Sequence, residues 1–506
     1  MIALWLTLAT ANAESLRATL ALEDDGSVRV VRAERVDDVV PSLPGELAVL
    51  GADGAVLATV ALPPFATTRD IPFPEGGGAA GYAPTRFLRV ILPWPDGATD
   101  LRVRGQRAHP FTASRMAPAP SDAEAVLANG PSARRLDLVF LGDGFTTDDR
   151  PKFDARVDSI VDHLLTIGPY TEYSGLINVW KVFTPSTSSG VDEEFATDTH
   201  VTPFECAYFC DPAIERLICC DEAKVVDFVD GHAPFADGIM VLVNSDKYGG
   251  AGGFTYGTSY TGDTQFVQVA AHELGHSLFG LWDEYSYGYS TPAPTTPADY
   301  LSPNCVSHNV ADAWPAWTGE AVTSADPANP GAADQVERYE GCSFDDWDRP
   351  TSDSCMMNTL QDQYCPVCRE TIVTKLYAAL GGEMIVSQSP DPANRVVLAD
   401  GESQTFKVKS LGPEQGVDVV WSVDGREVGT GAEFVVEGCD DLDGELLASV
   451  VDPTAWVRSD PQDVLSDSVA WTVKTKCAGC GCATNDAPPT AWLGALGLLV
   501  WRRRKS

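Results

Sequence analysis

One five-residue motif constrains this chain more than any other feature: His272-Glu273-Leu274-Gly275-His276. Residues four apart lie on one face of a helix, so both histidines are placed to hold the same metal ion. Zn²⁺ is the expected metal, because it accepts imidazole nitrogen and lowers the pKa of a bound water to about 7. Glu273 follows the first histidine and is the expected general base. The motif therefore predicts a zinc site with a carboxylate beside it.

The residues around the motif also predict a buried helix. An apolar stripe of helical period contains Phe266, Ala270, Leu274 and Leu278, and Gly280 is a natural end of the helix. The chain has 7 histidines in 506 residues, yet two of them stand at this spacing. A buried helix does not hold such polar side chains without partners, which favours the metal interpretation.

The charge of the chain excludes one class of partner. There are 35 Lys and Arg against 72 Asp and Glu, which gives a net charge of −37. A nucleic acid would be repelled, so no nucleic-acid partner is expected. The acidity is typical of a protein that is soluble outside the cell. Calcium binding stays open as an alternative, although the sequence has no EF-hand loop pattern.

Cysteines concentrate around the zinc motif. Nine of the 13 lie between Cys206 and Cys368, in the same segment as the histidines. Cys365-Pro366-Val367-Cys368 is a CxxC motif, which is compatible with a redox centre or a second metal site. In an exported protein a local disulfide framework is the preferred interpretation, although its connectivity cannot be read from the sequence.

The N-terminal residues 1–13 are expected to be a signal peptide. They are apolar and end in Ala11-Asn12-Ala13, a small-residue cleavage site before Glu14. The segment is short and has no basic residues at its start, so the true start codon stays open. The segment therefore predicts that the protein is exported.

The C-terminal residues 477–506 are expected to be a sorting and anchor tail. Cys477-Ala478-Gly479-Cys480-Gly481-Cys482 precedes a Pro-containing spacer, an apolar run over 491–501 and the basic cluster 502–505. The apolar run is short against the ~20 residues that span a bilayer, and the basic cluster fits the cytoplasmic side. The tail resembles the Cys-containing sorting tag of myxobacterial-type surface proteins. This resemblance implies cleavage by a sorting protease, and membrane contact only through the tail.

Three folded parts are expected between these ends, so the fold class is multidomain. Residues 14–120 form an N-terminal β domain with alternating strands and a Pro-rich end. Residues 130–380 form an α/β (α+β) domain, because buried strands at 136–141, 178–183 and 239–243 alternate with helical segments. Residues 383–475 form an Ig-like β-sandwich with Trp421 in its core. A Gly-rich segment at 249–253 lacks the Lys-Ser/Thr of a phosphate loop and is expected to be backbone on the substrate side.

The central part resembles a known family. The segment from His272 through Trp282-Asp283-Glu284-Tyr285 is similar to the signature of the IgA-peptidase-type zinc metallopeptidases, a metzincin-like group. Further motifs agree in order: Leu141-Gly142-Asp143-Gly144-Phe145-Thr146, Ile177-Asn178-Val179-Trp180, Ser189-Gly190-Val191-Asp192, Tyr339-Glu340-Gly341, Arg349-Pro350 and Ser354-Cys355-Met356-Met357. The resemblance implies peptide-bond hydrolysis and a methionine turn under the metal. Met357 is the residue that matches the turn, with Met356 in reserve.

The third zinc ligand departs from the family pattern. Metzincins have a glycine three residues after the second histidine and a ligand six after it, whereas here Gly280 follows by four and Asp283 by seven. Asp283 is the preferred third ligand, because zinc accepts carboxylate oxygen. Glu284 is its competitor, and a glutamate from a later helix remains a further possibility.

The sequence as a whole predicts an exported zinc endopeptidase that acts on a protein or peptide. It is expected at the cell surface, associated with the outer membrane, or secreted after tail processing. The alternative is a surface adhesin or binding module with a structural zinc site. The number of protein ligands separates the two, since a structural site is closed by four and a catalytic one keeps a position for water.

Overall fold

The computed structural model has a mixed α/β architecture with several β-sheets and few helices. It describes residues 14–22, 28–36, 47–60, 86–103, 106–107, 122–193, 199–210, 214–253, 255–262, 265–288, 290, 302–311, 313–323, 333–380, 383–440, 442–461 and 463–476. The proposed signal peptide and the proposed C-terminal tail lie outside these residues.

The N-terminal part consists of two antiparallel sheets, with strand orders β2-β1-β5 and β4-β3-β6-β7. Leu16, Leu20 and Leu92 of the first sheet share one core with Leu47 and Leu101 of the second. In β1 the core residues Leu16, Ala18 and Leu20 are two residues apart, the spacing at which side chains of a strand share one face. The strands are β1 (Glu14–Leu22), β2 (Val28–Val36), β3 (Leu47–Gly51), β4 (Val56–Val60), β5 (Arg86–Trp94), β6 (Ala98–Val103) and β7 (Gln106–Arg107).

The central part is built on a six-stranded sheet with helices packed against it. Its strands are β8 (Glu124–Leu127), β9 (Leu136–Asp143), β10 (Ile177–Val182), β11 (Gly238–Val243), β12 (Gly250–Gly252) and β13 (Gly257–Tyr260). Its helices are α1 (Arg150–Leu164), α2 (Glu222–His232) and α3 (Phe266–Phe279).

The order of this sheet is β12-β13-β11-β9-β10-β8. The four inner strands are parallel, and the edge strands β8 and β12 are antiparallel to their neighbours. Every residue of β9 and β11 is buried, which explains why both read as continuous apolar runs. The three strands expected from the sequence are confirmed within one or two residues.

Asp143, at the end of β9, holds the loop that carries a first cluster of cysteines, which consists of Cys206, Cys210, Cys219 and Cys220. Its two carboxylate oxygens accept hydrogen bonds from the backbone N–H groups of Phe204 (2.9 Å) and Cys206 (3.0 Å). Burial raises the pKa of Asp143 to about 6, although these hydrogen bonds favour the ionised form. The loop is closed by the disulfides Cys206–Cys220 and Cys210–Cys219.

After α3 the chain forms small sheets and two further helices. They are β14 (Val306–Ser307), β15 (Ala321–Thr323), β16 (Ala333–Gln335), β17 (Tyr339–Cys342), β18 (Phe344–Arg349), α4 (Met356–Thr359) and α5 (Pro366–Ala379). A third disulfide joins Cys305 to Cys342. The expected disulfide framework is therefore present for six of the nine central cysteines. Cys355, Cys365 and Cys368 are buried and are not disulfide-bonded.

The C-terminal part has two sheets, with orders β19-β21-β24 and β20-β26-β25-β22-β23. Trp421 is fully buried between them and stacks on Trp471 at 5.6 Å, so the expectation that it is a core residue is confirmed. The strands are β19 (Ile385–Ser389), β20 (Val396–Ala399), β21 (Ser403–Ser410), β22 (Asp418–Val423), β23 (Arg426–Thr430), β24 (Glu433–Glu437), β25 (Asp443–Val451) and β26 (Ser466–Lys476).

This part packs directly on the central part. The buried carboxylate of Asp452 accepts hydrogen bonds from the hydroxyls of Tyr173 and Tyr377, each at 2.7 Å. Within the described part of the chain, no helix has both the length and the apolar character needed to cross a membrane.

Candidate metal centre and active site

Helix α3 places the HExxH motif against the sheet and then stops abruptly. It ends at Gly280, whose φ of 65° is left-handed and suits glycine. The N–H groups of Gly280 and Leu281 donate to the carbonyl oxygens of His276 (3.0 Å) and Gly275 (3.1 Å), which caps the helix. The sequence therefore predicted this end correctly. Its consequence is that the chain turns back under the two histidines.

Two backbone carbonyl groups, one in this turn and one in a later segment, fix the orientation of the imidazole rings. Nδ1 of His276 lies 2.6 Å from the carbonyl oxygen of Leu281, and Nδ1 of His272 lies 3.0 Å from that of Met356. A carbonyl only accepts, so each Nδ1 carries a proton and donates it. Each neutral ring then presents the lone pair of Nε2, the arrangement found in histidines that bind a metal.

Asp283 completes a triangle with these two nitrogens. Its Oδ1 lies 2.9 Å from Nε2 of His272 and 3.4 Å from Nε2 of His276, and the two nitrogens are 3.1 Å apart. Zinc bonds of about 2.05 Å in a tetrahedron would place ligand atoms about 3.3 Å apart. The three observed distances therefore match three corners of a zinc coordination tetrahedron.

The same triangle is unfavourable without a cation. Oδ1 of Asp283 is buried and has no hydrogen-bond partner among the described residues. Although Nε2 of His272 is close to it, a ring protonated at Nδ1 has no second hydrogen to give. A metal ion, or an additional proton, relieves the repulsion of the converging lone pairs. The residues present thus fit a bound metal.

The pKa values of the site also indicate that a proton and a metal ion would compete for the same place. Burial disfavours the charged ring of His276, but the Asp283 carboxylate outweighs burial and raises the pKa of His276 to about 9. Burial would raise the pKa of Asp283, yet the two histidines hold it well below its usual range. A metal ion must therefore displace a proton from His276 when it binds.

Glu284, the competitor for third ligand, points away from this triangle. Its backbone N–H donates to the carbonyl oxygen of Met357 (2.8 Å), and its carboxylate lies among Cys355, Cys365 and Cys368. Asp283 and Glu284 therefore belong to two different groups of potential ligands, although they are neighbours in the sequence. The described residues also place no later glutamate in the group formed by His272, His276 and Asp283.

Glu273 lies at the wall of a cavity of about 280 Å³ that opens beside His272. Burial raises the pKa of Glu273, although the positive charges of the two histidines act in the opposite direction. This makes its carboxylate a stronger proton acceptor once it is ionised. The cavity is lined by Arg216, Tyr248, Val269, His272, Glu273, Tyr285, Asn358, Thr359 and Leu360.

The edge strand β12 lies directly against the motif. A Cβ added to Gly252 would come within 2.5 Å of Cβ of His276, and one added to Gly250 within 3.0 Å of Oε1 of Glu273. Only glycine allows so close an approach. The Gly-rich segment expected to be substrate-side backbone is thus an edge strand that packs on α3.

Met357 lies under the helix between the two histidines. It is fully buried, and its sulfur is in contact with Gly275 of the motif. The preceding residue, Met356, contributes its carbonyl oxygen to His272 rather than its side chain. The residue that was expected to form the methionine turn therefore packs directly against the motif.

Three site residues were not identified from the sequence. Arg216 donates from its guanidinium to the hydroxyl of Tyr285 (3.2 Å) at the cavity wall, and the hydroxyl of Tyr287 donates to Oδ2 of Asp283. The two tyrosines follow the signature closely, which is a usable signal. Arg216 lies between two cysteines of the first cluster, and no pattern in the sequence distinguishes it.

Comparison with known proteins agrees with this geometry. Residues 125–327 match the model of the family described as IgA Peptidase M64. No curated protein matches the chain significantly. The matched segment contains β8 to β13, the HExxH helix and Asp283. The central segment of the chain is therefore similar to the IgA Peptidase M64 family of metallopeptidases.

Proposed function

We propose that the protein is a zinc-dependent endopeptidase in which His272, His276 and Asp283 hold Zn²⁺ and Glu273 is the general base. The observation that carries the proposal is the triangle of two Nε2 atoms and one buried carboxylate oxygen, with a proton acceptor at the adjoining cavity. Three protein ligands leave one position of a tetrahedron for water, as in catalytic rather than structural sites.

Each residue then has a distinct task in hydrolysis. Bound zinc would supply Lewis acidity and lower the pKa of a water molecule. Glu273 accepts the proton of the attacking water and passes it to the leaving amine. The hydroxyl of Tyr285, which accepts a hydrogen bond from Arg216, is placed at the cavity wall to donate to the oxygen that becomes negative.

An extended peptide is the expected form of the substrate. Strand β12 is at the edge of the sheet and lies against both His276 and Glu273. A peptide paired with this edge by backbone hydrogen bonds would pass in front of the metal centre. This binding mode uses the backbone of the substrate, so side-chain specificity must come from the other cavity walls.

Export to the cell surface is part of the proposal. Three disulfides in the central part support an oxidising compartment. The signal peptide at 1–13 and the sorting tail at 477–506 rest on the sequence, and so does the sorting protease implied by the tail.

The decisive experiment is Glu273→Gln in the zinc-loaded protein. This variant keeps the metal ligands and the shape of the side chain but removes the base. Peptide-library digestion read by mass spectrometry should show a loss of about 10²–10⁴ in rate, with unchanged zinc content. Proteolysis at the wild-type rate would refute the mechanism. If neither protein cleaves any peptide although zinc is bound, the alternative of an adhesin with structural zinc is favoured.

A further inference from the structure

A second group of potential metal ligands lies buried beside the first. Glu284 follows Asp283, Cys355 precedes the methionine turn, and Cys365 and Cys368 stand at the start of helix α5. All four side chains are completely buried. They come from three separate segments of the chain, and their ligand atoms lie within 4.8 Å of one another.

Three distances within this group are close to those of a zinc tetrahedron. Zinc–sulfur bonds of about 2.3 Å and a zinc–oxygen bond of about 2.0 Å would place two sulfurs about 3.8 Å apart, and sulfur and oxygen about 3.5 Å apart. The sulfurs of Cys355 and Cys368 are 3.8 Å apart. Oε1 of Glu284 lies 3.2 Å from the sulfur of Cys368 and 3.8 Å from that of Cys365.

The backbone around Cys365 and Cys355 suits sulfur that binds a metal ion. Cys365 is the N-cap of α5, so its side chain lies at the N-terminal end of that helix. The backbone N–H of Cys365 in turn points to the sulfur of Cys355 at 3.3 Å. Backbone donors and the positive end of a 14-residue helix stabilise thiolates. Each thiol would lose its proton to solvent as the metal binds.

A disulfide accounts for this group less well than a metal ion. A bond between any two of the three cysteines would leave the third thiol and the Glu284 carboxylate together in the interior. That carboxylate receives hydrogen bonds from the side chains of Asn304 (3.1 Å) and Thr351 (3.4 Å), both of them neutral. A buried ionised carboxylate is costly unless a cation compensates it. A divalent cation satisfies all four groups at once.

We propose that Cys355, Cys365, Cys368 and Glu284 bind a second zinc ion in a closed structural site. Four protein ligands leave no position for water, so this zinc is not a second catalytic centre. The site goes beyond the proposed function and does not depend on it.

This second zinc would hold two parts of the catalytic centre in register. Glu284 is the neighbour of Asp283, and Cys355 is the neighbour of Met356, whose carbonyl oxygen orients His272. The hydrogen bond from the Glu284 N–H to Met357 already joins these two segments. The structural zinc would therefore fix the positions of a metal ligand and of the methionine turn together.

The test is to measure the number of zinc ions bound per full-length chain by elemental mass spectrometry. Wild-type protein should contain two zinc ions per chain. His276→Ala should lose one and keep the other, and Cys368→Ser should also lose one. The double variant Cys305→Ser/Cys342→Ser is the matched control, because it removes two equally buried cysteines and should keep both ions. One zinc in the wild type, or none in His276→Ala, would overturn the proposal.

A measurement on the wild type avoids reliance on variants that fail to fold. The protein is denatured with a chelator but without reductant, alkylated, then reduced and alkylated with a second reagent. Peptide mass spectrometry should find the first label on Cys355, Cys365 and Cys368. The second label on any two of them would show a disulfide and refute the site. If the protein binds two zinc ions but the Glu273→Gln variant keeps its activity, only the proposed mechanism is refuted and the second site is supported.

Discussion

Gly275, the fourth residue of the HExxH motif, offers a quantitative test of the packing under the metal centre. On helix propensity alone, replacing a helical glycine by alanine stabilises by about 0.8–1 kcal/mol. A Cβ at Gly275, however, would lie 2.6 Å from the sulfur of Met357 and 3.3 Å from its methyl carbon. Carbon and sulfur need about 3.5–4 Å. Met357 is fully buried, so its side chain is enclosed by other residues.

Gly231 in the last turn of α2 is the matched control, because a Cβ there meets nothing within 4 Å. Gly231→Ala should therefore gain up to about 1 kcal/mol. Gly275→Ala receives the same gain but loses about 1–3 kcal/mol through overpacking. The propensity term cancels between the variants, so their unfolding free energies should differ by about 1–3 kcal/mol.

Thermal unfolding of the two zinc-loaded variants measures this difference directly. For a domain of this size, 1 kcal/mol corresponds to a shift of about 2–4 °C, so Gly275→Ala should melt below Gly231→Ala by roughly 2–12 °C. Displacement of the methionine turn should also weaken the hydrogen bond of His272 to Met356 and lower zinc affinity by about 10–100-fold. If Gly275→Ala melts with Gly231→Ala, at or above the wild type, the reasoning about Met357 is refuted.

Two further predictions concern the third ligand and the tail. Asp283→Ala should lose the catalytic zinc on dialysis, whereas Glu284→Ala should keep it and lose only the metal of the second site. Metal analysis together with peptidase assays measures both effects. Loss of the catalytic zinc in Glu284→Ala alone would reverse the assignment of the third ligand. Deletion of residues 477–506 should release active protein into the medium instead of leaving it on the cell, as immunoblots of cells and medium would show. If the mature surface protein still contains residues 502–505, the tail is not processed.

The motif and the strands around it were predictable because they depend on local rules. A spacing of four on a helix places two histidines on one face whatever surrounds them. Continuous apolar runs identified β9 and β11 because parallel strands between helices are buried on both sides. The left-handed end at Gly280 follows from the conformational freedom of glycine.

The sequence by itself determined the helix, its two histidines and the adjacent base, whereas only the tertiary structure decided what surrounds them. Asp283 and Glu284 are chemically similar neighbours, and the direction of the returning chain sends one to the histidines and the other to the cysteines. Arg216 reaches the cavity through a disulfide-bonded loop, and Glu284 meets Cys368 across 84 positions of sequence. Such contacts depend on how separate segments pack, and no local periodicity encodes that packing.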